Sequence, residues 1–248
     1  MVQLAHALPA PAVAGARRIR HTAQAVALSG NSHECPACLG RFRHFLPWDR
    51  PDVVCPRCGS LERHRRAILF LRRHTDIHTA PLRVLHVAPE EALRREIEPL
   101  PSLDYVAGDL FPDARSVRLD VTAIDAADAS FDVVLCSHVL EHVPDDAKAL
   151  SEIRRVLRPD GWALLGVPVN PTLDAVYEDA TITDEAGRLT HFGQADHVRW
   201  YTDDGFQERV RAAGLDVTAE PVAFSAWERD RYLLGTAEWD RVYLCRPV

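Results

Sequence analysis

Two cysteine pairs, Cys35-x2-Cys38 and Cys55-x2-Cys58, separated by sixteen residues, constrain this chain more than any other feature. Two-residue spacing within each pair suits a cage of four thiolates around one ion better than a disulfide crosslink. The run Cys55-Pro56-Arg57-Cys58-Gly59 supplies a tight turn in which backbone amides can approach metal-bound sulfurs. Residues 33–60 are therefore read as a zinc ribbon with Cys35, Cys38, Cys55 and Cys58 as ligands. Iron in a rubredoxin-like site would use the same four thiolates, and the plain Pro/Gly knuckles favour zinc. Four thiolates close the coordination sphere, so the role expected of the ion is structural, holding together a segment too small to build its own core.

The pattern divides the 248 residues into an expected extension at 1–30, partly without fixed structure, a ribbon with a helix at 31–80, and a larger domain at 81–248. Hydrophobic residues make up 47% and charged residues 26%, which suffices for one medium core beside the small module. The longest apolar run, 162–169, is interrupted by Gly166 and Pro168 and is far too short to span a bilayer. The Ala-rich start, with Arg17, Arg18 and Arg20, lacks the continuous apolar stretch of a signal peptide. Cys136 and Cys245 stand outside the cage, and together these features lead to the expectation of a cytoplasmic protein with no membrane partner.

Charge is unevenly distributed. Residues 1–79 carry a balance of +7 and the remainder −14. Either the basic module docks on its own acidic partner domain, or it presents a basic face to an anionic substrate such as RNA. The net charge of −7 favours the first, because it repels a polyanion from most of the surface. Ser60 is expected to cap a helix through Arg72 with one apolar face, and with Arg63, Arg65, Arg66 and Arg72 either solvated or meeting carboxylates.

Beyond Pro81 the pattern alternates strand and helix. Strands are read at 82–88, 105–107, 116–120, 131–136, 162–167, 215–218 and 241–245, with helices at 90–97, 145–157 and 204–213 and a sharp turn at Arg158-Pro159-Asp160-Gly161. This order implies a doubly wound α/β sheet, whose ligands lie beyond the carboxyl ends of the strands where strand order reverses. Asp109 and Asp120 each close a strand, the first placed to accept both hydroxyls of a ribose and the second to reach an adenine edge.

Together, Asp109, Asp120-Val121-Thr122, Ser130 to Val134, Ser137-His138-Val139-Leu140-Glu141-His142-Val143 and Leu157 to Trp162 resemble the class I S-adenosylmethionine-dependent methyltransferases of the type-11 branch. The resemblance spans 82 to about 170. It implies a seven-stranded Rossmann-like sheet, with Asp109 at the ribose, Asp120 and Val121 at the adenine, Leu110 among the cofactor-binding residues, and Ser137 and His138 facing the methyl donor. One departure stands out, since the family's first strand runs into an acidic residue and a glycine-rich turn, whereas this chain reads His86-Val87-Ala88-Pro89-Glu90-Glu91. The expectation is that Ala88 and Pro89 shape the turn and that Glu90 or Glu91 holds the donor's amine.

Transfer from a sulfonium needs alignment more than a base. If the acceptor must lose a proton, His138 is the candidate, while Glu141 and His142 are read as structural. The long stretch from Asn170 to Tyr201 is the expected acceptor loop, with Tyr177, His191, Gln194, His197 and Arg199 as binding residues. Three functions remain open at this stage: methyl transfer to a small molecule, methylation of an RNA base with the ribbon contacting RNA, and a non-catalytic zinc-organised interaction protein.

Overall fold

The computed structural model describes residues 23–219, 224–236 and 240–248. Residues 1–22, most of the expected extension, lie outside the described residues. By contacts the described chain falls into two compact units, one of residues 23–69 with 224–235 and the other of 70–219 with 236 and 240–248. The sequence reading draws one boundary near Pro81 and assigns all later residues to the second domain. The structure instead groups 224–235 with the cysteine-bearing unit.

In the first unit, β1 (Ser29–Glu34) pairs antiparallel with β2 (Arg41–Phe42), and a bridge joins Leu46 to Val54. Helix α1 (Glu62–His74) begins here and continues into the second unit. Ser60 does not cap it as expected. Its hydroxyl lies 3.2 Å from Cys35 Sγ and 3.3 Å from Cys58 Sγ, and the first free amide, Leu61 N–H, donates to His64 Nδ1 at 3.0 Å. Arg65 is not solvated either, because it is fully buried and donates to the carbonyls of Val53, Ser60 and Leu233 while lying over the Phe45 ring. Satisfying three carbonyls that no sheet or helix pairs offsets the burial of its charge. Helix α6 (Ala226–Tyr232) returns to the same unit, where Arg231 binds Ser32 O and Glu34 and where His33 pairs with Asp230 O.

The second unit is an α/β sheet of seven strands: β3 (Leu82–Val87), β4 (Leu103–Asp109), β5 (Val117–Arg118), β6 (Phe131–Ser137), β7 (Leu157–Pro168), β10 (Leu215–Ala219) and β11 (Asp240–Pro247). Their spatial order is β10-β11-β7-β6-β3-β4-β5. All pairs are parallel except those of β11, which runs against β7 and β10. Strand order reverses between β3 and β6, the neighbouring pair at the centre of the sheet.

Helices α2 (Glu91–Ile97), α3 (Asp146–Val156) and α5 (Asp203–Ala212) join the strands. The expected α3 is capped by Asp145, whose carboxylate accepts from Lys148 N at 2.9 Å. Ala149, Leu150, Ile153 and Val156 form its buried face, packed with Leu85, Val134, Leu165, Phe206 and Tyr243 in one core. The expected turn at 158–161 is a bulge within β7: Phe131 pairs with Leu157, and Val133 next pairs with Trp162.

The insertion between β7 and α5 carries its own two-stranded ribbon, β8 (Tyr177–Glu178) with β9 (Arg199–Trp200), and the helix α4 (Glu185–Phe192). A charge network, buried at Arg199 and Asp146, fixes it. Arg199 is 3% exposed and donates to Leu140 O and Pro144 O at 2.8 Å, to Val143 O, and to Glu178 Oε2 at 2.9 Å. Arg209 joins Asp146 at 2.7 Å to Glu178 at 2.7 Å, and the Tyr201 hydroxyl donates to Asp146 at 2.6 Å. Burial raises the Tyr201 phenol well above its ordinary pKa, so it remains a donor.

Removing one partner of such a network leaves buried charge and carbonyls uncompensated. Arg199→Met is expected to lower unfolding stability by about 3 kcal/mol. Urea midpoints read by circular dichroism check this, and a change below about 1 kcal/mol contradicts the buried-clamp role.

Candidate functional site

The carboxyl ends of β3 and β6 leave the sheet through non-glycine residues in the left-handed region: Ala88 at φ +45° and His138 at φ +54°. For an L-residue this backbone costs about 1–2 kcal/mol, and such strain collects where a site needs the chain to turn sharply. Ala88 thus adopts the conformation for which glycine is suited, with its amide donating to Gly108 O at 2.7 Å. His138 N–H donates to Gly166 O at 2.8 Å. A Cβ on Gly166 would lie 2.9 Å from Ser137 Oγ, so glycine here makes room for the Ser137 side chain.

Asp109 and Asp120 flank the same edge. Asp109 Oδ1 accepts from Phe111 N–H at 2.8 Å, leaving Leu110 and Phe111 exposed. Asp120 Oδ1 accepts from Thr122 Oγ1 at 2.7 Å and Thr122 N–H at 2.8 Å, and the Thr122 hydroxyl holds its pKa below the usual carboxylate value. Both turns use one carboxylate oxygen and steer the other outward. Val121 beside Asp120 is buried.

At the turn after β3, Pro89 precedes Glu90, which occupies the N-cap of α2 without a side-chain capping bond. Glu91 is engaged elsewhere, with Arg95 and Arg115 each at 2.9 Å. His86, where the resemblance places an acid, is buried and paired with the Tyr105 hydroxyl at 2.9 Å. Burial pushes its pKa from 6.5 down to about 3, so the imidazole is neutral.

His138 Nδ1 lies 3.3 Å from Glu141 Oε1, with its side chain 18% exposed. The residues proposed from sequence for the acceptor divide into two groups. Tyr177 and His191 meet, hydroxyl to Nδ1 at 2.7 Å, and Gln194 is exposed beyond α4. His197 and Arg199 turn inward. Arg199 is committed to the carbonyls and carboxylates already described, which leaves it badly placed to orient an acceptor. His197 is 2% exposed, packs edge to face on His142 at 4.7 Å, and has its pKa lowered by burial. Glu141 and His142, read as structural from sequence, are thereby brought together with a histidine 55 residues away.

In the first unit the four sulfurs lie within 4.8 Å of one another, with Cys35 to Cys58 at 3.6 Å and Cys38 to Cys55 at 3.7 Å. A tetrahedron of sulfurs about 2.3 Å from a common ion has edges of about 3.8 Å, close to these two separations. The two knuckles are built alike. Cys35 N–H donates to Gly40 O and Leu39 N–H to Cys35 O, as Cys55 N–H donates to Ser60 O and Gly59 N–H to Cys55 O. Leu39 and Gly59 occupy the same left-handed position at φ +56° and +74°. Hydrogen bonding with Cys35 lowers the Cys58 thiol and raises Cys55, as expected of crowded sulfurs that cannot all ionise without a cation.

Residues 79–165 match the family described as "Methyltransferase domain". A ubiquinone biosynthesis O-methyltransferase of Paraburkholderia phymatum is 28% identical over 120 residues, covering 48% of this chain and 51% of that protein. An uncharacterized methyltransferase of Mycobacteroides abscessus is 35% identical over 91 residues, 37% of this chain and 32% of its own length. The chain thus spans at most about half the length of these curated relatives. Among solved structures, the [4+2]-cyclase SpnF superposes with a TM-score of 0.56 at 14% identity, covering 94% of both chains. A Burkholderia thailandensis 1,6-didemethyltoxoflavin-N1-methyltransferase, bound to 1,6-didemethyltoxoflavin and S-adenosylhomocysteine, gives 0.51 at 21% identity, covering 75% and 78%. The second unit therefore has the Rossmann-like methyltransferase fold, and residues 79–165 are its methyltransferase domain match.

The buried His86 sets a pH dependence. The unfolded chain takes up a proton below about pH 6.5 and the folded one only near 3, so its contribution is complete above 6.5 and is lost as pH falls toward 3. The loss approaches about 1.4 kcal/mol per pH unit. Urea unfolding at several acid pH values is expected to give a shallower pH slope for His86→Gln than for the parent.

Proposed function

We propose that the second unit transfers a methyl group from S-adenosylmethionine to a small-molecule acceptor. The observation that carries this reading is the match of residues 79–165 to a methyltransferase domain, which includes the β3 and β6 strands where the sheet order reverses. In that crevice Asp109 and Leu110 would bind the ribose and Asp120 with Val121 the adenine, each Asp using the oxygen its turn does not. Ala88 and Pro89 would form the floor of the turn. Glu90 or Glu91 would hold the donor's amine, the latter also pairing with Arg95 and Arg115. Bound there, the donor supplies an activated methyl group, and the protein's part is to align the acceptor and exclude water.

His138, at the end of β6, is the proposed proton acceptor where the substrate carries a hydroxyl. Tyr177, His191 and Gln194 are retained as acceptor-binding residues on the insertion. The small-molecule preference is supported by the acidic balance of residues 80–248 and by relatives named for ubiquinone and toxoflavin chemistry. The cysteine-bearing unit is proposed to hold a structural zinc through Cys35, Cys38, Cys55 and Cys58, with Ser60 hydrogen-bonded to two of the sulfurs.

Titration calorimetry with S-adenosylhomocysteine is expected to show binding, weakened about tenfold or more in Asp109→Ala by the lost ribose bonds. No heat at millimolar ligand overturns the transferase reading. After dialysis against EDTA, a thiol-blocking mercurial is expected to release one zinc per chain from a colourless protein. Visible absorption would assign iron instead, and Cys58→Ser is expected to lose the ion and most of the first unit's stability.

A further inference from the structure

Glu141 lies on the single helical turn Leu140–His142 that follows β6, fully buried, and neither carboxylate oxygen has a hydrogen-bond partner among the described residues. A desolvated carboxylate without donors is unfavourable by several kcal/mol, and proteins resolve this with a proton or a cation. The surroundings favour a cation. His142 Nε2 stands 3.9 Å from Glu141 Oε1, and His138 Nδ1 stands 3.3 Å from the same oxygen without hydrogen-bond alignment. His197, anchored next to β9, is 2% exposed, and its Nδ1 has no hydrogen-bond partner among the described residues.

One ligand atom from each of Glu141, His142 and His197 lies within 4.8 Å of the other two. Ligands bonded at about 2.1 Å to a common ion are about 3–4 Å apart, so small side-chain rotations close the set. His142 is already oriented for this, because its Nδ1 faces Asp196 O at 3.2 Å and Asp196 Oδ2 at 3.3 Å. A proton held there leaves the Nε2 lone pair toward Glu141, the arrangement in which outer carboxylates and carbonyls position metal-binding imidazoles.

We propose that Glu141, His142 and His197 form a second metal site, with two imidazoles and one carboxylate holding a divalent transition ion. Such a donor set suits zinc, iron(II) or cobalt and leaves coordination positions open, unlike the closed cage of four thiolates. If the methyltransferase reading holds, an acceptor oxygen bound at an open position would be made more acidic next to His138. That consequence rests on the reading given above, whereas the metal site does not.

The test uses the full chain, dialysed against EDTA and titrated with cobalt(II). Thiolate-bound cobalt carries an intense charge-transfer band that nitrogen and oxygen ligands do not produce. The wild type is expected to take up one cobalt showing only ligand-field absorption, beyond any bound by the cysteines. Glu141→Gln and His197→Asn are each expected to weaken that uptake at least tenfold. In chelator, Glu141→Gln is expected to melt no lower than the wild type, because it replaces a buried carboxyl group that has no hydrogen-bond partner among the described residues, and added zinc should raise the melting temperature of the wild type alone. Wild-type protein without the additional cobalt overturns the proposal, as does undiminished uptake by Glu141→Gln, a variant that preserves side-chain shape. S-adenosylhomocysteine calorimetry on the same samples separates failure of this site from failure of the donor site.

Discussion

Parallel strands that part at a reversal of order must send their chains in opposite directions, and in this sheet the whole candidate site depends on how β3 and β6 do so. Both strands end in a left-handed residue, Ala88 and His138, rather than in glycine. The backbone strain is tolerated because the amide of each left-handed residue is itself tied across the sheet, Ala88 N–H to Gly108 O and His138 N–H to Gly166 O. In this turn Ala88 thus accepts the left-handed backbone conformation for which glycine is suited. Asp109 and Ser137 are the last residues of β4 and β6, and both strands pair in parallel with β3.

The sheet was legible because its central strands are continuous apolar runs and because α3 shows helical spacing between a capping Asp and a buried face. What escaped the sequence has physical causes. Helix α6 has no buried residue and α4 has only Phe192, so neither displays an apolar period. Arg65 looked like part of a solvated face, since the backbone carbonyls it serves leave no mark in a sequence. Arg199 looked like a ligand-binding cation for the same reason. His197 could not be joined to Glu141 and His142 until the ribbon of β8 and β9 and the Arg199 clamp had carried it across 55 residues of chain.

Buried charge is used in three ways here. In the Asp146, Glu178, Arg199 and Arg209 network, opposite charges and carbonyls satisfy one another and hold the insertion in place. Around the cysteines, four sulfurs crowd within 4.8 Å of one another, an arrangement that a cation would relieve. At Glu141 a carboxylate lies beside imidazoles without hydrogen bonds to any of them. The first is complete within the protein, while the other two are the sites at which metal ions are proposed.

The return of 224–235 to the cysteine-bearing unit has a consequence for biosynthesis. On a ribosome the four cysteines emerge early, but Leu233 O, which accepts from buried Arg65, and α6, which packs on β1, arrive only after six of the seven sheet strands have been made. β10 likewise has no neighbour in the sheet until β11 follows it. Neither unit can mature while the nascent chain stops at β10, so both must wait for nearly the same late stretch of translation, and a truncated product would leave two unfinished surfaces at once.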